Sequence, residues 1–324
     1  MSRYMVTGAA GFIGSHICRR LLESGHEVVG VDCLTSFYEP RQKEANLAPL
    51  FDWNGFELVR HDLNDPTLDL DYLVSSTTGI FHQAGQPGVR PSWNTGFAAY
   101  TSQNILATQR ILEAVRSNPD VHLVYASSSS VYGNADVWPC TESSVPRPFS
   151  PYGVTKLAAE HLVSLYAENY GLHTTSLRYF TVYGPGQRPD MAMNRFIKAA
   201  LTGDQVTLYG TGAQIRDFTY VSDIVEANVR AVALDYAGGV INVSGGSQTS
   251  VRDVLGIIEQ LTGREINLRR LDAPPGDVMQ TGGSNTRAAH LLGWQPEVGV
   301  REGLERQVAW HLAGDHKLVA SVLQ

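Results

Sequence analysis

The chain has 324 residues and a formal net charge of −7, and its 43% hydrophobic and 18% charged content is that of an ordinary globular protein. The absence of a dense Lys/Arg run argues against nucleic acid as the main partner. No segment nears the roughly 18 uninterrupted apolar residues of a membrane span, and no basic leader precedes an apolar stretch, so neither a membrane partner nor a secretory signal is expected.

Cys18, Cys33 and Cys140 are too scattered for a metal cluster or a disulfide framework and fit a reducing cytoplasm. The first apolar run, Arg3 to Thr7, leads into Gly8-Ala9-Ala10-Gly11-Phe12-Ile13-Gly14. Gly8 suits a tight turn, Gly11 lets the backbone approach phosphates, and Gly14 lets a helix pack on the strand. Phe12 and Ile13 open that helix, predicted to reach Ser24, whose free N–H groups and positive dipole end suit a dinucleotide pyrophosphate. A second run, Glu27 to Asp32, ends in a carboxylate 24 residues after Gly8, placed to hold ribose hydroxyls. Asp32 would repel a 2′-phosphate, which favours NAD over NADP.

The polar, aromatic loop Thr35 to Lys43 is expected beside the adenosine. The strand Phe56 to Arg60 ends at His61-Asp62-Leu63, where Asp62 reads as an acceptor for the adenine amino group or as a turn or N-cap aspartate. The next strand, Gly79 to His82, opens into Gln83-Ala84-Gly85, small residues that let the backbone reach the cofactor's centre. His82 reads as a satisfied core histidine rather than a catalytic one. A long helix is predicted from Phe97 to Ser117, with Asn104 inside it at a cost in propensity, facing the cofactor or a catalytic loop through water.

The strand from Val121 runs into Ser127-Ser128-Ser129-Ser130, hydroxyls that packing explains poorly. A Pro-rich loop follows, then Tyr152-Gly153-Val154-Thr155-Lys156 and a helix to about Asn169. This helix, Val154–Asn169, and Phe97–Ser117 carry apolar stripes suited to covering the sheet and pairing across a two-fold axis. The sixth strand ends at Tyr179, beside the cofactor, and beyond Phe180 the strand–helix alternation breaks. The expected fold is α/β: a doubly wound Rossmann-type parallel sheet with a smaller, mostly C-terminal α/β lobe. Its cofactor-binding unit spans 1–180, completed by about 218–245; 181–217 and 246–324 form the lobe over the sheet's carboxyl edge, where open α/β sheets place ligands.

Tyr152 and Lys156 stand four apart on one helix face. A phenol is a poor base at neutral pH, and a neighbouring ammonium together with a positive nicotinamide would favour the phenolate. Ser128 has the chemistry to orient a substrate hydroxyl and share its proton. With the glycine turn, the motifs Ser128-Ser129-Ser130-Val131-Tyr132-Gly133, Tyr152 to Lys156, Leu177-Arg178-Tyr179-Phe180-Thr181-Val182-Tyr183-Gly184-Pro185 and Arg216-Asp217-Phe218-Thr219-Tyr220-Val221-Ser222-Asp223 follow in order. In these the chain resembles the extended short-chain dehydrogenase/reductases of the NAD-dependent nucleotide-sugar epimerase and dehydratase family.

The resemblance implies tightly held NAD, a UDP- or dTDP-sugar substrate, Tyr152 as base, Lys156 as its partner, Ser128 as the hydroxyl-positioning residue, and a homodimer. Family dehydratases carry an Asp-Glu pair, and decarboxylases a glutamate, where this chain has Ser129 and Ser130; the pattern therefore looks like a 4-epimerase. The stretch Tyr183 to Met191 resembles the uronate branch, where Arg188 would meet a sugar carboxylate, with Thr181 and Arg90 near the same pocket. Pairing of Arg188 with Asp190 or a phosphate is the other reading. Arg216 is expected on the diphosphate, Thr207 and Tyr209 near the uracil, and Asp277 orienting an arginine or a ribose hydroxyl. Relatives usually carry an arginine at Pro274, a contact that Arg269 or Arg270 would have to replace. The resulting expectation is 4-epimerisation of UDP-glucuronate to UDP-galacturonate. The alternatives are a UDP-glucose or UDP-N-acetylglucosamine 4-epimerase, a UDP-glucuronate decarboxylase, and a non-catalytic NAD-binding regulator. No metal is expected.

Overall fold

The computed structural model describes residues 1–234, 238–272 and 277–314. Its strands are β1 (Arg3–Thr7), β2 (Glu27–Val31), β3 (Phe56–Val59), β4 (Gly79–His82), β5 (His122–Ser128), β6 (Thr174–Tyr179), β7 (Thr181–Tyr183), β8 (Val206–Tyr209), β9 (Ile215–Tyr220), β10 (Gly239–Val243), β11 (Gln248–Ser250) and β12 (Leu268–Leu271). Every residue of β4, β5 and β6 is buried, because helices cover both faces and no period of two can develop. Seven strands form a parallel sheet in the order β10-β6-β5-β4-β1-β2-β3. This is the Rossmann-type doubly wound arrangement, and the strand order reverses between β1 and β4, which opens a crevice at their carboxyl ends. A three-stranded sheet, β11-β9-β7, and a two-stranded one, β12-β8, build the smaller lobe.

One apolar cluster fills the sheet face that includes Met5, Ile80, Leu123 and Tyr125 with Ile111, Leu112 and Val163. The other runs from Val6, Phe81, Val124 and Leu177 without interruption to Phe196, Ile197, Leu208, Ile258 and Trp294 of the lobe. The lobe is thus fixed over the carboxyl edge by a shared core. No helix among the described residues is long and apolar enough to cross a membrane.

Two helices depart from the sequence-based expectation. The stretch predicted as one helix from Phe97 is α-helical at Phe97–Tyr100, π-helical at Thr101–Leu106 and α-helical again at Ala107–Arg116. The widened turn holds Asn104 buried, bonded to a neighbouring loop, which apolar periodicity does not encode. The second helix begins at Pro151, before Val154, because the Ser150 hydroxyl accepts from Gly153 N at 3.1 Å and proline suits the first turn. Tyr152 consequently sits at the helix entrance, next to the end of β5.

Gly8 takes φ +69°, and a Cβ on Gly14 would collide with the Gly8 carbonyl oxygen. Gly14→Ala is therefore expected to cost about 1–3 kcal/mol through overpacking. Gly256, in the helix Val251–Thr262, is a position where an added Cβ would meet nothing within 4 Å, and it should instead gain about 0.4–1 kcal/mol as alanine. Thermal unfolding of both variants, with Tm moving in opposite directions, checks this pair.

Candidate active site

The crevice is walled by Gly8, Gly11, Phe12, Ile13 and Gly14 on one side and by Gln83, Ala84 and Gly85 on another, with Asp32 and Leu63 at one end and Tyr152, Lys156, Tyr179 and Arg188 at the other. The helix Phe12–Glu23 has no side-chain cap, so its first N–H groups are left for a ligand. Asp32 accepts from Ala10 N at 3.1 Å and from Leu34 N at 2.7 Å, which fixes its carboxylate between the glycine turn and the following loop. In that loop Thr35, Phe37, Tyr38 and Lys43 line the same crevice, and Lys43 donates to Thr35 Oγ1 at 3.0 Å. An uncapped helix end, a wall stripped of side chains and a carboxylate past β2 together fit a dinucleotide.

Two expected cofactor contacts are engaged elsewhere. Asp62 accepts from Asn64 N at 2.8 Å and from Gln103 Nε2 at 3.1 Å, while its neighbours His61 and Leu63 and its partner Gln103 line the crevice. Asn104 accepts from Gln86 N at 2.6 Å and donates to Gln86 O at 3.1 Å and Thr155 Oγ1 at 2.9 Å. It ties the loop after β4 directly to the Tyr152 helix, without a water, and leaves the wall to Gly85 and Gln86. His82 is a core residue: Thr7 Oγ1 lies 2.7 Å and Thr108 Oγ1 3.0 Å from its two ring nitrogens. Burial pushes its pKa down to about 3, so the ring is neutral.

At the other end, Lys156 Nζ donates to the Ala126 carbonyl at 2.7 Å and lies 4.9 Å from the Tyr125 ring centroid. Burial pushes Lys156 down to about 8 against the pull of Glu160, so it remains mainly protonated at neutral pH. Burial raises the Tyr152 phenol, while a hydrogen bond with Ser128 and the charge of Arg188 pull it down. One of the three Lys156 donors is thus given to β5, and Ser128 and Arg188 supply the downward pull on the phenol; desolvation outweighs both. Ser128 Oγ also accepts from Ser130 N at 3.1 Å, and the Ser129–Val131 turn lies against the helix entrance, where a Cβ on Gly153 would meet Ser130 O at 2.6 Å. Tyr179 donates to Asn228 Oδ1 at 2.8 Å and to Gln83 Oε1 at 3.2 Å, which braces this wall with a residue that sequence reasoning missed.

The residues expected on the substrate separate into two groups. Arg188 forms a two-bond pair with Asp190, at 3.0 Å from Nε and 2.9 Å from its terminal nitrogen, yet still lines the crevice with a side chain 17% exposed. Arg90, expected near Arg188, instead lies 4.0 Å over the Tyr209 ring and 4.0 Å from Asp277. Asp277 also accepts from Arg216 at 2.7 Å, so Arg90, Tyr209, Arg216 and Asp277 form one cluster carrying a net positive charge. Thr207 shares the Tyr209 face of β8, and the parallel register sets Arg269 beside it, whereas Arg270 turns away to donate to Thr211 O at 3.3 Å. Thr181 opens β7, in register with Phe218. Pro274 lies outside the described residues.

A buried network beneath these residues was not read as functional. Ser127 donates to Glu160, Glu160 pairs with Arg178, and Arg178 donates to the Tyr132 hydroxyl, which donates to Asn242. The available signal was spacing, because Glu160 repeats the four-residue step from Tyr152 to Lys156.

The comparisons with known proteins agree with this geometry. Residues 4–244 match the model of the NAD dependent epimerase/dehydratase family. The Bacillus subtilis protein named uncharacterized UDP-glucose epimerase YtcB is 39% identical over 310 residues, covering 95% of this chain and 97% of its own. UDP-glucuronic acid 4-epimerase from Bacillus cereus, solved with UDP-glucuronic acid and NAD, is similar at a TM-score of 0.92 and 38% identity, over 97% of this chain and 100% of that one. MoeE5, solved with UDP-glucose and NAD, gives 0.87 and 42% over 96% and 99%, and has also been solved with UDP-glucuronic acid. A glycine turn at the strand-order reversal, a Tyr/Lys helix at its side and matches of this extent lead to one conclusion: the chain belongs to the NAD dependent epimerase/dehydratase family.

Proposed function

We propose that the protein is an NAD-dependent 4-epimerase of a UDP-hexuronate, interconverting UDP-glucuronate and UDP-galacturonate. The observation that carries the uronate reading is Arg188, a guanidinium in the crevice wall whose charge acts on the Tyr152 phenol. Its Nε edge is taken by Asp190, and its other edge suits a second carboxylate. The Bacillus cereus complex with UDP-glucuronic acid supports the same reading. Charge compensation of Arg188 by Asp190, with the MoeE5 complex with UDP-glucose, favours the second reading, a UDP-glucose 4-epimerase.

Bound NAD supplies the acceptor and donor of the C4 hydride. Gly8, Gly11 and the N–H groups of Phe12 and Ile13 would hold its pyrophosphate, and Asp32 a ribose. Tyr152 takes the proton of the C4 hydroxyl while Ser128 orients that hydroxyl and shares the hydrogen bond. Lys156 keeps a positive charge at the crevice floor. Arg90 and Arg216, steadied by Asp277, hold the diphosphate while the 4-keto sugar turns. A 4-keto uronate is a β-keto acid, which loses CO₂ when its carboxylate bond aligns with the carbonyl π system. Arg188, with Ser129, Ser130 and Thr181 around the sugar, keeps that alignment poor.

The exposed apolar side chains Phe97, Leu106, Val154 and Leu165 (40, 49, 49 and 52% exposed) lie on the two helices that would pair in a homodimer. Sedimentation should therefore give a dimer, and a single 35 kDa species at micromolar concentration would refute it.

Purified protein offered UDP-glucuronate, UDP-glucose and UDP-N-acetylglucosamine separately should prefer the uronate; a clear preference for a neutral sugar establishes the second reading. Tyr152→Phe should cut kcat by about 10²–10⁴-fold with NAD still bound, and a wild-type rate would overturn the mechanism. Arg188→Ala should weaken handling of UDP-glucuronate by roughly one to two decades and release some 4-keto-pentose product, with UDP-glucose affected much less. Equal losses on both sugars would move Arg188 to the diphosphate or the scaffold.

A further inference from the structure

Ser127 precedes Ser128 at the end of β5, and its buried hydroxyl donates to Glu160 Oε2 at 2.6 Å. Glu160 lies one helical turn beyond Lys156 and two beyond Tyr152. Lys156 itself donates to the carbonyl of Ala126. Consecutive turns of one helix therefore grip consecutive residues of one strand, immediately before the serine that meets Tyr152. Glu160 is in turn immobilised by Arg178, which donates to Oε2 from Nε at 2.9 Å and to Oε1 at 2.5 Å. Arg178 is directly opposite Ser127 in the β5–β6 register and is braced by the Tyr132 hydroxyl at 2.7 Å, itself bonded to Asn242 at 2.7 Å.

Glu160 and Arg178 are 2% and 3% exposed. Burying such a pair costs the hydration of both ions, and apolar replacements of similar volume are often as stable or more so. Stability alone is therefore a weak explanation for it. What the pair does specify is where the Ser127 hydroxyl, and hence the end of β5, must lie.

We propose that Glu160 is a positioning residue for the C4 chemistry: held by Arg178, it clamps the Ser127 hydroxyl and so fixes Ser128 at the distance and angle needed to reach the Tyr152 phenol. This rests on the functional reading above only in taking Tyr152 and Ser128 as the proton-handling groups, whichever sugar is bound. Three anchors, at Ala126, Ser127 and the Ser129–Val131 turn, then hold Ser128 within the narrow range that proton transfer tolerates, since misplacement by about 1 Å can cost about 10²-fold. The carboxylate also favours the protonated form of Lys156, one turn away.

The test begins with wild-type turnover on the three UDP-sugars; no turnover of any would overturn the functional reading and this role together. With an active wild type, Ser127→Ala removes only the clamped hydroxyl and leaves the ion pair. It should lower kcat roughly tenfold, with KM, bound NAD and Tm close to wild type. Glu160→Leu combined with Arg178→Met removes both buried charges, so Tm should hold or rise while kcat falls as it does in Ser127→Ala. Adding Ser127→Ala to that background should cost nothing more, because both changes break the same clamp. Unchanged kcat in Ser127→Ala, or a loss confined to Tm, KM or NAD content, would make the network a purely structural one and overturn the proposal.

Discussion

A lysine that is 6% exposed must be solvated by the protein, and Lys156 achieves this chiefly through one bond, from Nζ to the Ala126 carbonyl at 2.7 Å. That bond fixes the Pro151–Tyr170 helix against β5, and much of the site follows from it. It sets Tyr152 at the helix entrance opposite Ser128. It also leaves an ammonium with a pKa of about 8 in the wall of a crevice that Asp32, Tyr152 and Arg188 line as well. Burial alone would drive both groups to their neutral forms. Ser128 and Arg188 oppose it at the phenol without overcoming it, whereas at the ammonium the opposition of Glu160 leaves the charged form dominant at neutral pH.

The end that the proposed reaction gives to the substrate follows a related rule. Arg188 is paired with Asp190, and Arg216 with Asp277. Each carboxylate removes charge that an anionic ligand could have used, which lowers the attraction. In exchange a long, rotamer-rich side chain is fixed before anything binds, so less ordering entropy remains to be lost on binding. On a chain of net charge −7 this favours recognition by geometry over long-range attraction.

Much of this architecture is legible in the sequence, and the exceptions have physical causes. The glycine turn, the carboxylate after β2 and the Tyr/Lys step are local: a few consecutive residues fix both backbone shape and chemistry. The parallel sheet follows from alternating apolar runs. Asn104 is different, because a π-helical turn is set by hydrogen bonds to Gln86 and Thr155, which are remote in sequence and invisible to periodicity. The place of Arg90 over Tyr209 is hidden for the same reason: it depends on how the lobe sits on the sheet. Asp62 was recognised as sitting past a strand end, but its engagement by Gln103 joins elements 41 residues apart.

The continuity of the core gives these long-range placements their consequence. Val6 and Phe81 of the sheet share one apolar cluster with Phe196, Leu208 and Trp294 of the lobe, so Arg216 and Tyr209 are carried by the same packed body as Tyr152. Close-packed interiors repack between discrete arrangements and do not deform smoothly. In the proposed reaction the nucleotide end is held by that body and the proton-handling groups belong to it as well. The freedom to turn must therefore lie in the sugar–phosphate linkage, within a cavity of fixed outline. The side chains that meet the turning sugar are then the ones that decide its fate. Ser128 and Tyr152 are held by the helix–strand contact and suit the atom common to both epimers. Arg188 is held from a loop by a single carboxylate, and suits the group that distinguishes one class of sugar from another.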